Sequence, residues 1–513
     1  MGNDIRGALR SLNEQRREIY VFALSVLVFG LLLYLLPAPL VEICLLIGIL
    51  GFAYHIFLTY FEDYTTNLKM SVIPIWVPFF VLSLSLSFMY MMKYNYSIPQ
   101  IVVFSALLVV FFYFWFIIPA AWYQKHINKS SSGKRSPSST LSILVPAYNE
   151  EEYIGRCLDS LKDSQYPIPK EIIVIDDGSE DNTYDVAQNH ATNNVKIIQQ
   201  SNGGKHSALN AGLEQATGDV IVTVDADSVI TETALVQIVA DLEADANIGA
   251  VAGTVKLLRV QSHVEKLQAL EYALGINTFR RAFAVLGFVN VVPGCLGCYR
   301  RTALESVGGF DGDTMTEDFD VTIKLLKSGW NVQASDALVY TDAPRTWRTL
   351  YRQRIRWNWG NIETLTKHRD LLWDKRVNNL TGILIPYQII SLFVMPFATI
   401  VILWTIISQL AMGNILYVAT MLSIFTLLQM IASLFALVLD ENDVLLCIYA
   451  PLVVVVYKHI IDAIIIKSLL DILLQKDLKW TQSRDHSPDN SKTPDSTRNK
   501  TNTSTIDMEA END

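Results

Sequence analysis

The chain has 513 residues, 51% of them hydrophobic, and a formal net charge of −10 at pH 7. This length accommodates more than one domain, and the negative charge argues against nucleic acid as a partner. The five cysteines are scattered, and the single C-x-x-C of Cys295 and Cys298 lacks a second pair or histidine partners. Because a zinc site needs about four ligands, we expect neither a zinc site nor a disulfide framework.

The first quarter of the chain is predicted to be membrane-spanning. Residues 1–19 are polar and carry several arginines, and four apolar runs follow, at 20–36, 41–60, 72–92 and 101–122. Each run is near the ~20 residues that a helix needs to cross a bilayer. The first run also resembles a signal peptide, but no small-residue cleavage site follows it directly, so four spans over 20–122 are favoured. Basic residues at both ends of this block place both ends in the cytoplasm, and a Ser/Gly/Pro-rich linker is predicted at 123–140.

From 141 to 345, short apolar runs alternate with helix-like patterns. This alternation predicts βαβ units and a doubly wound parallel sheet. Strands are predicted at 142–145, 171–175, 195–198, 220–224 and 250–255, and helices at 150–161, 182–190, 205–216 and 231–243. A longer amphipathic helix is predicted over 263–285, and another helix begins near Glu317.

The last third returns to membrane-type composition. Residues 346–379 combine aromatic and cationic side chains, as in a helix that lies in a membrane interface. Apolar runs at 380–408, 414–438 and 443–470 predict about three transmembrane helices within 380–475. The last run contains Lys458, His459 and Asp462, which are costly in a bilayer, so the number of spans stays open here. The polar tail at 481–513 is predicted to be disordered.

The strand at 220–224 runs into Asp225-Ala226-Asp227. Ligands of open α/β sheets bind beyond the carboxyl ends of the strands, and two carboxylates spaced in this way can hold a divalent cation that in turn holds a diphosphate. A lone D-x-D is more often a strand end with solvated carboxylates. Here Asn149 and Glu150 follow the first strand and Asp177 follows the second. Each is an ordinary cap or turn signal by itself, but three polar strand ends on one edge favour a binding site.

A dinucleotide site is the competing interpretation of this edge. It requires G-x-G-x-x-G after a strand, and the chain has no such run. Gly203-Gly204-Lys205 comes closest, because its backbone amides and ammonium group suit a phosphate. That signal is weak by itself.

Four motifs in fixed order resemble one family. They are Asp176-Asp177-Gly178-Ser179, Asp225-Ala226-Asp227, Thr316-Glu317-Asp318 and Gln353-Arg354-Ile355-Arg356-Trp357. Together they resemble the membrane-embedded family 2 glycosyltransferases, which include the synthases of cellulose, chitin, hyaluronan and poly-N-acetylglucosamine. The resemblance covers residues 141–370, and Q-x-x-R-W is similar to the processive members. It implies an α/β nucleotide-sugar-binding domain of the GT-A type on the cytosolic side, flanked by α-helical transmembrane bundles.

The resemblance also implies the donor-side roles. It places four residues in a uridine pocket: Ala147, Tyr148, Glu150 and Asp177. Lys205 would lie near the donor nucleotide, and Asp225 and Asp227 would hold Mg²⁺ or Mn²⁺ on the UDP diphosphate. Gln353 and Arg356 would close over that diphosphate, a role that suits the permanently charged fork of arginine.

On the acceptor side, the resemblance makes Asp318 the general base and assigns Gly294, Glu317 and Trp357 to acceptor binding. The alternatives are a helix N-terminus with an acidic first turn for Thr316-Glu317-Asp318, and a membrane-interface anchor for Trp357. Pro293 departs from the small residue that usually precedes the glycine of the acceptor loop, which leaves the acceptor sugar open.

The expected activity is a single inverting displacement by a processive, UDP-sugar-dependent β-glycosyltransferase of the plasma membrane. Its partners would be a UDP-sugar donor, a growing polysaccharide and the lipid bilayer. UDP-N-acetylglucosamine is the favoured donor, with a poly-N-acetylglucosamine or hyaluronan-like product. Two alternatives remain: an enzyme that adds one sugar to a lipid-linked acceptor, and a transporter or scaffold that senses nucleotide sugar.

Overall fold

The computed structural model describes residue 113 and residues 117–132, 136–373, 380–474 and 476. The predicted N-terminal segment, the spans at 20–36, 41–60 and 72–92, most of the run at 101–122 and the predicted tail lie outside these residues.

The centre of the described chain is one eight-stranded sheet. Its strands are β1 Leu141–Ala147, β2 Lys170–Asp176, β3 Val195–Gln199, β4 Val220–Thr223, β5 Ser228–Ile230, β6 Ile248–Leu257, β7 Gly297–Arg300 and β8 Asn331–Thr341. Their spatial order is β3-β2-β1-β4-β7-β6-β8-β5. All five predicted strands are therefore confirmed.

The sheet is mixed, so the prediction of a wholly parallel sheet is wrong for two strands. Strands β1 to β4 pair in parallel. Strand β7 lies antiparallel between β4 and β6, and β5 pairs antiparallel with β8 at the edge. These two strands have four and three residues, which is too short for a two-residue alternation to show in the sequence.

Ten α-helices accompany the sheet in the described chain before residue 369. They are α1 Ile118–Ser132, α2 Ile154–Asp163, α3 Thr183–Asn189, α4 Lys205–Gln215, α5 Ala234–Leu242, α6 His263–Glu271, α7 Thr278–Ala284, α8 Arg301–Ser306, α9 Glu317–Lys327 and α10 Trp347–Lys367. A π-helical segment, Tyr272–Asn277, joins α6 to α7, which confirms the long helix predicted over 263–285. Helix α1 continues through the first part of the segment predicted as a linker.

Helices cover both faces of the sheet. All seven residues of β1 are buried, and successive side chains of a strand point to opposite faces. Ile143 and Val145 share one apolar cluster with residues of α2 and α5, and Leu144 shares another with residues of α4 and α9. This packing fixes the strands so that β1, β2 and β4 end at the same edge.

Three helices of the described chain are long and apolar enough to cross a membrane. They are α11 Gly382–Ala411, α12 Ile415–Leu439 and α13 Val444–Leu473. They coincide with the three predicted apolar runs. Helix α10 packs against α13, so the helix that carries the Q-x-x-R-W motif contacts this apolar bundle directly.

Candidate active site

A cavity of about 840 Å³ opens beyond the carboxyl end of β4. The starts of α4 and α9, the loop before β7 and the middle of α10 complete its wall. The predicted site residues that line it are Lys205, Asp225, Asp227, Gly294, Glu317, Asp318, Gln353, Arg356 and Trp357. The fold thus brings three of the four motifs to one cavity.

Asp225 and Asp227 follow β4, whose four residues are all buried. Asp227 Oδ1 lies 3.0 Å from Ser228 Oγ and 3.4 Å from Thr341 Oγ1. Two carboxylates on the wall of one cavity are the oxygen ligands that hard divalent cations prefer, so these residues fit Mg²⁺ or Mn²⁺.

Lys205 connects the end of β4 to the start of α9. Its Nζ lies 2.7 Å from Asp225 Oδ1 and 2.9 Å from Glu317 Oε1. Burial alone would lower the pKa of Lys205, but Asp225, Glu317 and Asp318 raise this pKa well above its usual value. The lysine is therefore a fixed positive charge at the meeting point of two motifs.

Asp177 holds the loop that precedes Lys205. Its carboxylate accepts hydrogen bonds from the backbone amides of Gly203 at 2.9 Å and Gly204 at 2.8 Å, and from Gln200 Nε2 at 2.6 Å. Gly204 has a φ of +87°, a conformation that glycine adopts without strain. Asp177 is buried and thereby positions the start of α4.

Asp318 lies in the first turn of α9 and is half-buried. Burial, and next the charge of Glu317, raise the pKa of Asp318 to about 6. The backbone amide of Phe319 donates to Asp318 Oδ1 at 2.8 Å. A carboxylate whose pKa lies near neutral pH suits a general base.

The loop before β7 approaches Lys205 closely at Gly294. A Cβ atom at this position would collide with Lys205 Nζ and would lie 3.3 Å from Asp225 Oδ1. The absence of a side chain therefore allows the lysine to pair with Asp225.

Helix α10 begins at a capping box in which Thr346 Oγ1 accepts from the Thr349 amide at 3.2 Å. Gln353, Arg356 and Trp357 line the cavity because residues three and four apart share a helix face. Gln353 Oε1 is buried and has no hydrogen-bond partner among the described residues. A ligand would reach this atom only after the amide rotates toward the cavity.

The four residues predicted for a uridine pocket lie at the same sheet edge but outside the lining of this cavity. Ala147 pairs with Asp176 across β1 and β2, and the amide of Asp177 donates to the Ala147 carbonyl at 2.8 Å. The Glu150 amide donates to Thr183 Oγ1 at 2.7 Å, and Tyr148, two residues earlier in the chain, is half-buried. These bonds tie the loops after β1 and β2 together next to the cavity.

Arg280 and Asn290 also line the cavity, and sequence reasoning missed both. Arg280 is buried, donates to the Gly253 carbonyl, and has its pKa lowered to about 10 by burial. Asn290 Oδ1 is buried with no partner in the described chain. The helical pattern over 263–285 did not show that Arg280 would be buried.

A buried ion-pair network fastens α9 to the end of α10. Asp320 is fully buried, and its oxygens lie 2.9 Å from His368 Nε2 and 3.1 Å from Lys367 Nζ. Lys367 also contacts Asp311 at 2.8 Å and Asp313 at 2.7 Å. The three carboxylates are close enough to share a metal ion, but the lysine already supplies positive charge to all of them. The network therefore orients the helix that carries Asp318.

Comparison with known families matches the central part of the chain. Residues 142–308 match the sequence model of glycosyl transferase family 2. This part of the chain is therefore similar to family 2 glycosyltransferases. The matched region holds Asp177, Lys205, Asp225 and Asp227, whereas Asp318 and the α10 motif follow it.

Two similar proteins are poly-beta-1,6-N-acetyl-D-glucosamine synthases. The protein from Staphylococcus epidermidis is 33% identical over 269 residues, which are 50% of this chain and 65% of the relative. The protein from Staphylococcus aureus is 32% identical over 244 residues, 47% of this chain and 59% of the relative. The matched regions thus span less than two thirds of the length of these curated relatives.

A solved structure shares the fold. It is a mannosyltransferase from Pyrobaculum calidifontis in complex with GDP-Man and Mn²⁺, with a TM-score of 0.53 and 19% sequence identity. The match covers 74% of this chain and all of the other. The predicted GT-A type α/β fold is thereby confirmed, together with apolar helices that follow it.

Proposed function

We propose that this protein is a membrane-embedded, inverting glycosyltransferase that extends a polysaccharide from a UDP-sugar, with UDP-N-acetylglucosamine as the favoured donor. The observation that carries the proposal is the convergence of Asp225, Asp227, Asp318 and Arg356 on one cavity wall. The relatives' names support N-acetylglucosamine as the sugar.

The donor would bind across the β4 edge. Asp225 and Asp227 would hold Mg²⁺ or Mn²⁺, which when bound neutralises the charge that develops on the leaving diphosphate. Lys205 and Arg356 bring further positive charge to the same wall, and the guanidinium fork suits a phosphate. Asp177 and the residues after β1 would contact the nucleoside from the adjoining loops.

The acceptor would enter from the side of α9 and α10. Asp318 removes the proton of the acceptor hydroxyl, whose oxygen forms a bond to C1 of the α-linked sugar as the bond from C1 to the diphosphate oxygen breaks. UDP leaves from the opposite face, so the new linkage is β. Gly294, Glu317 and Trp357 would contact the acceptor, with the indole as a stacking surface for its ring.

Unpaired acceptor atoms on the cavity wall suit a ligand rich in hydroxyl groups. Gln353 Oε1 and Asn290 Oδ1 are both buried without a partner among the described residues. An unpaired buried polar group costs about 1–3 kcal/mol. Both atoms have almost no accessible surface, so a ligand hydroxyl would pair with either one only after the amide rotates toward the cavity. This argument favours a carbohydrate over an apolar ligand.

The adjoining helices support a membrane location for the product path. Tyr387, Gln388 and Ser391 of α11 line the same cavity, so the site borders the apolar bundle. We place the enzyme in the plasma membrane with spans at 20–122 and 380–475 and with the catalytic domain in the cytosol. The elongating chain would then leave along α11.

The test is UDP release by the purified full-length protein with Mn²⁺, measured donor by donor. We expect release from UDP-N-acetylglucosamine, and its loss in Asp225→Asn and Asp227→Asn. Asp185→Asn, an exposed carboxylate on α3, is the control and should behave as wild type. No release with any donor would contradict the proposal and favour a sensor of nucleotide sugar.

A further inference from the structure

A buried arginine stands inside the α10 motif without lining the cavity. Arg354 lies between Gln353 and Arg356, which line the wall, but its own side chain is buried elsewhere. Its Nη2 lies 2.6 Å from Glu271 Oε2 at the end of α6. The same oxygen accepts a hydrogen bond from the Tyr457 hydroxyl of α13 at 2.5 Å. Three separate elements thus meet at one carboxylate.

Arg354 also contacts the indole predicted to bind the acceptor. Its Cζ lies 4.4 Å from the centroid of the Trp357 ring, well within the ~6 Å of a cation–π contact. The ring is half-buried and lines the cavity. One side of the indole is therefore fixed by a guanidinium group that is itself fixed by Glu271.

We infer that Arg354 is a positioning residue that orients Trp357 for the acceptor sugar, and that Glu271 and Tyr457 hold it in place. The inference rests on the proposed function, since it concerns the acceptor side of that reaction. In this arrangement, Glu271 of the catalytic domain and Tyr457 of an apolar helix both hold the arginine that contacts the Trp357 stacking surface. Glu271, Arg354 and Tyr457 lie outside the cavity lining, unlike Asp225 and Arg356.

The test separates acceptor binding from donor binding. We compare Arg354→Met and Arg354→Lys with the control Arg348→Gln, which replaces an exposed arginine on the same helix. Three quantities are measured: the KM of UDP-N-acetylglucosamine, the affinity for an N-acetylglucosamine oligosaccharide by calorimetry, and the product length. We expect Arg354→Met to weaken oligosaccharide binding about fivefold, the order of one lost cation–π contact, and to shorten the product. The donor KM should stay at the wild-type value. Arg354→Lys should recover part of the loss, because it keeps a positive charge without the fork.

Glu271→Gln and Tyr457→Phe extend the test to the groups that hold the arginine. Each removes part of the hydrogen bonding and should move oligosaccharide affinity in the same direction as Arg354→Met, by a smaller factor. Tyr457→Phe keeps the ring, so it remains informative if a substitution of Arg354 prevents folding.

Two outcomes would overturn the inference while wild type still makes polymer. One is equal oligosaccharide affinity and product length in Arg354→Met and Arg348→Gln. The other is a parallel loss of donor and oligosaccharide affinity without rescue by lysine, which would mean general structural support only. Absence of UDP release by wild type would instead contradict the proposed function.

Discussion

Replacing Gly294 with alanine tests the contact between Lys205 and the end of β4. The new methyl group would collide with Lys205 Nζ, so this flexible ammonium must shift and its contact with Asp225 is weakened. A charge-assisted hydrogen bond contributes about 1.5–3 kcal/mol. Because the two side chains are 34% and 32% exposed, we take the lower end, about 1.5 kcal/mol. If the displaced ammonium loses a contact of this size with the donor diphosphate, kcat/KM for the donor falls about tenfold.

Gly275→Ala is the matched control, because Gly275 lines the same cavity and its added Cβ would meet only Glu271 Cγ, at 3.9 Å. The assay is UDP release at varied donor concentration, together with a thermal unfolding curve. Gly294→Ala should lower the unfolding midpoint by a few degrees at most, as expected for the loss of about 1.5 kcal/mol, and should lower kcat/KM about tenfold relative to the control. Equal kcat/KM in the two variants would refute the reasoning that places Lys205 in the donor site.

Three further predictions concern α9. Asp318→Asn should abolish transfer but leave UDP-sugar affinity by calorimetry nearly unchanged, since Asp225 and Asp227 remain; near-normal turnover would exclude Asp318 as the base. The base must be ionised, so kcat/KM should fall as the pH drops through about 6, the raised pKa of Asp318. Glu317→Gln should move the midpoint of this pH profile to lower pH, because it removes a charge that raises the pKa of Asp318. An unchanged midpoint would contradict the role assigned to the charge of Glu317. Asp320→Asn should lower the free energy of unfolding by about 2 kcal/mol. This is less than the ~3–5 kcal/mol of a fully broken buried pair, because Lys367 keeps Asp311 and Asp313 as partners. The control Asp370→Asn removes an exposed pair with Lys327 and should change the free energy of unfolding little; equal effects of the two variants would show that burial of Asp320 is unimportant.

Local patterns were sufficient to predict which carboxylates follow the strands at one edge of the sheet. The apolar run of β4 ends at Asp225, and the strand–helix alternation places this end beside those of β1 and β2. Because successive strands of such a sheet end at one edge, the sequence predicted which carboxylates would lie together. The resemblance to a family added Asp318, Gln353 and Arg356, which the structure brings to the same cavity.

Contacts between distant parts of the chain could not be predicted in this way. Asp320 and His368 are 48 residues apart, and Glu271 and Arg354 are 83 apart. No periodicity relates such positions, and a charged residue in an amphipathic helix is usually solvated. The short strand β7 was missed because its four residues carry no alternation, although the loop that precedes it carries Gly294 into the cavity wall.

The most direct test of the proposed activity is the size of the product made from UDP-N-acetylglucosamine by wild type, with Mn²⁺ and without added lipid. The account predicts a long β-linked polymer from wild type and none from Asp318→Asn. Products of a single added sugar, formed only when a lipid-linked acceptor is supplied, would contradict it.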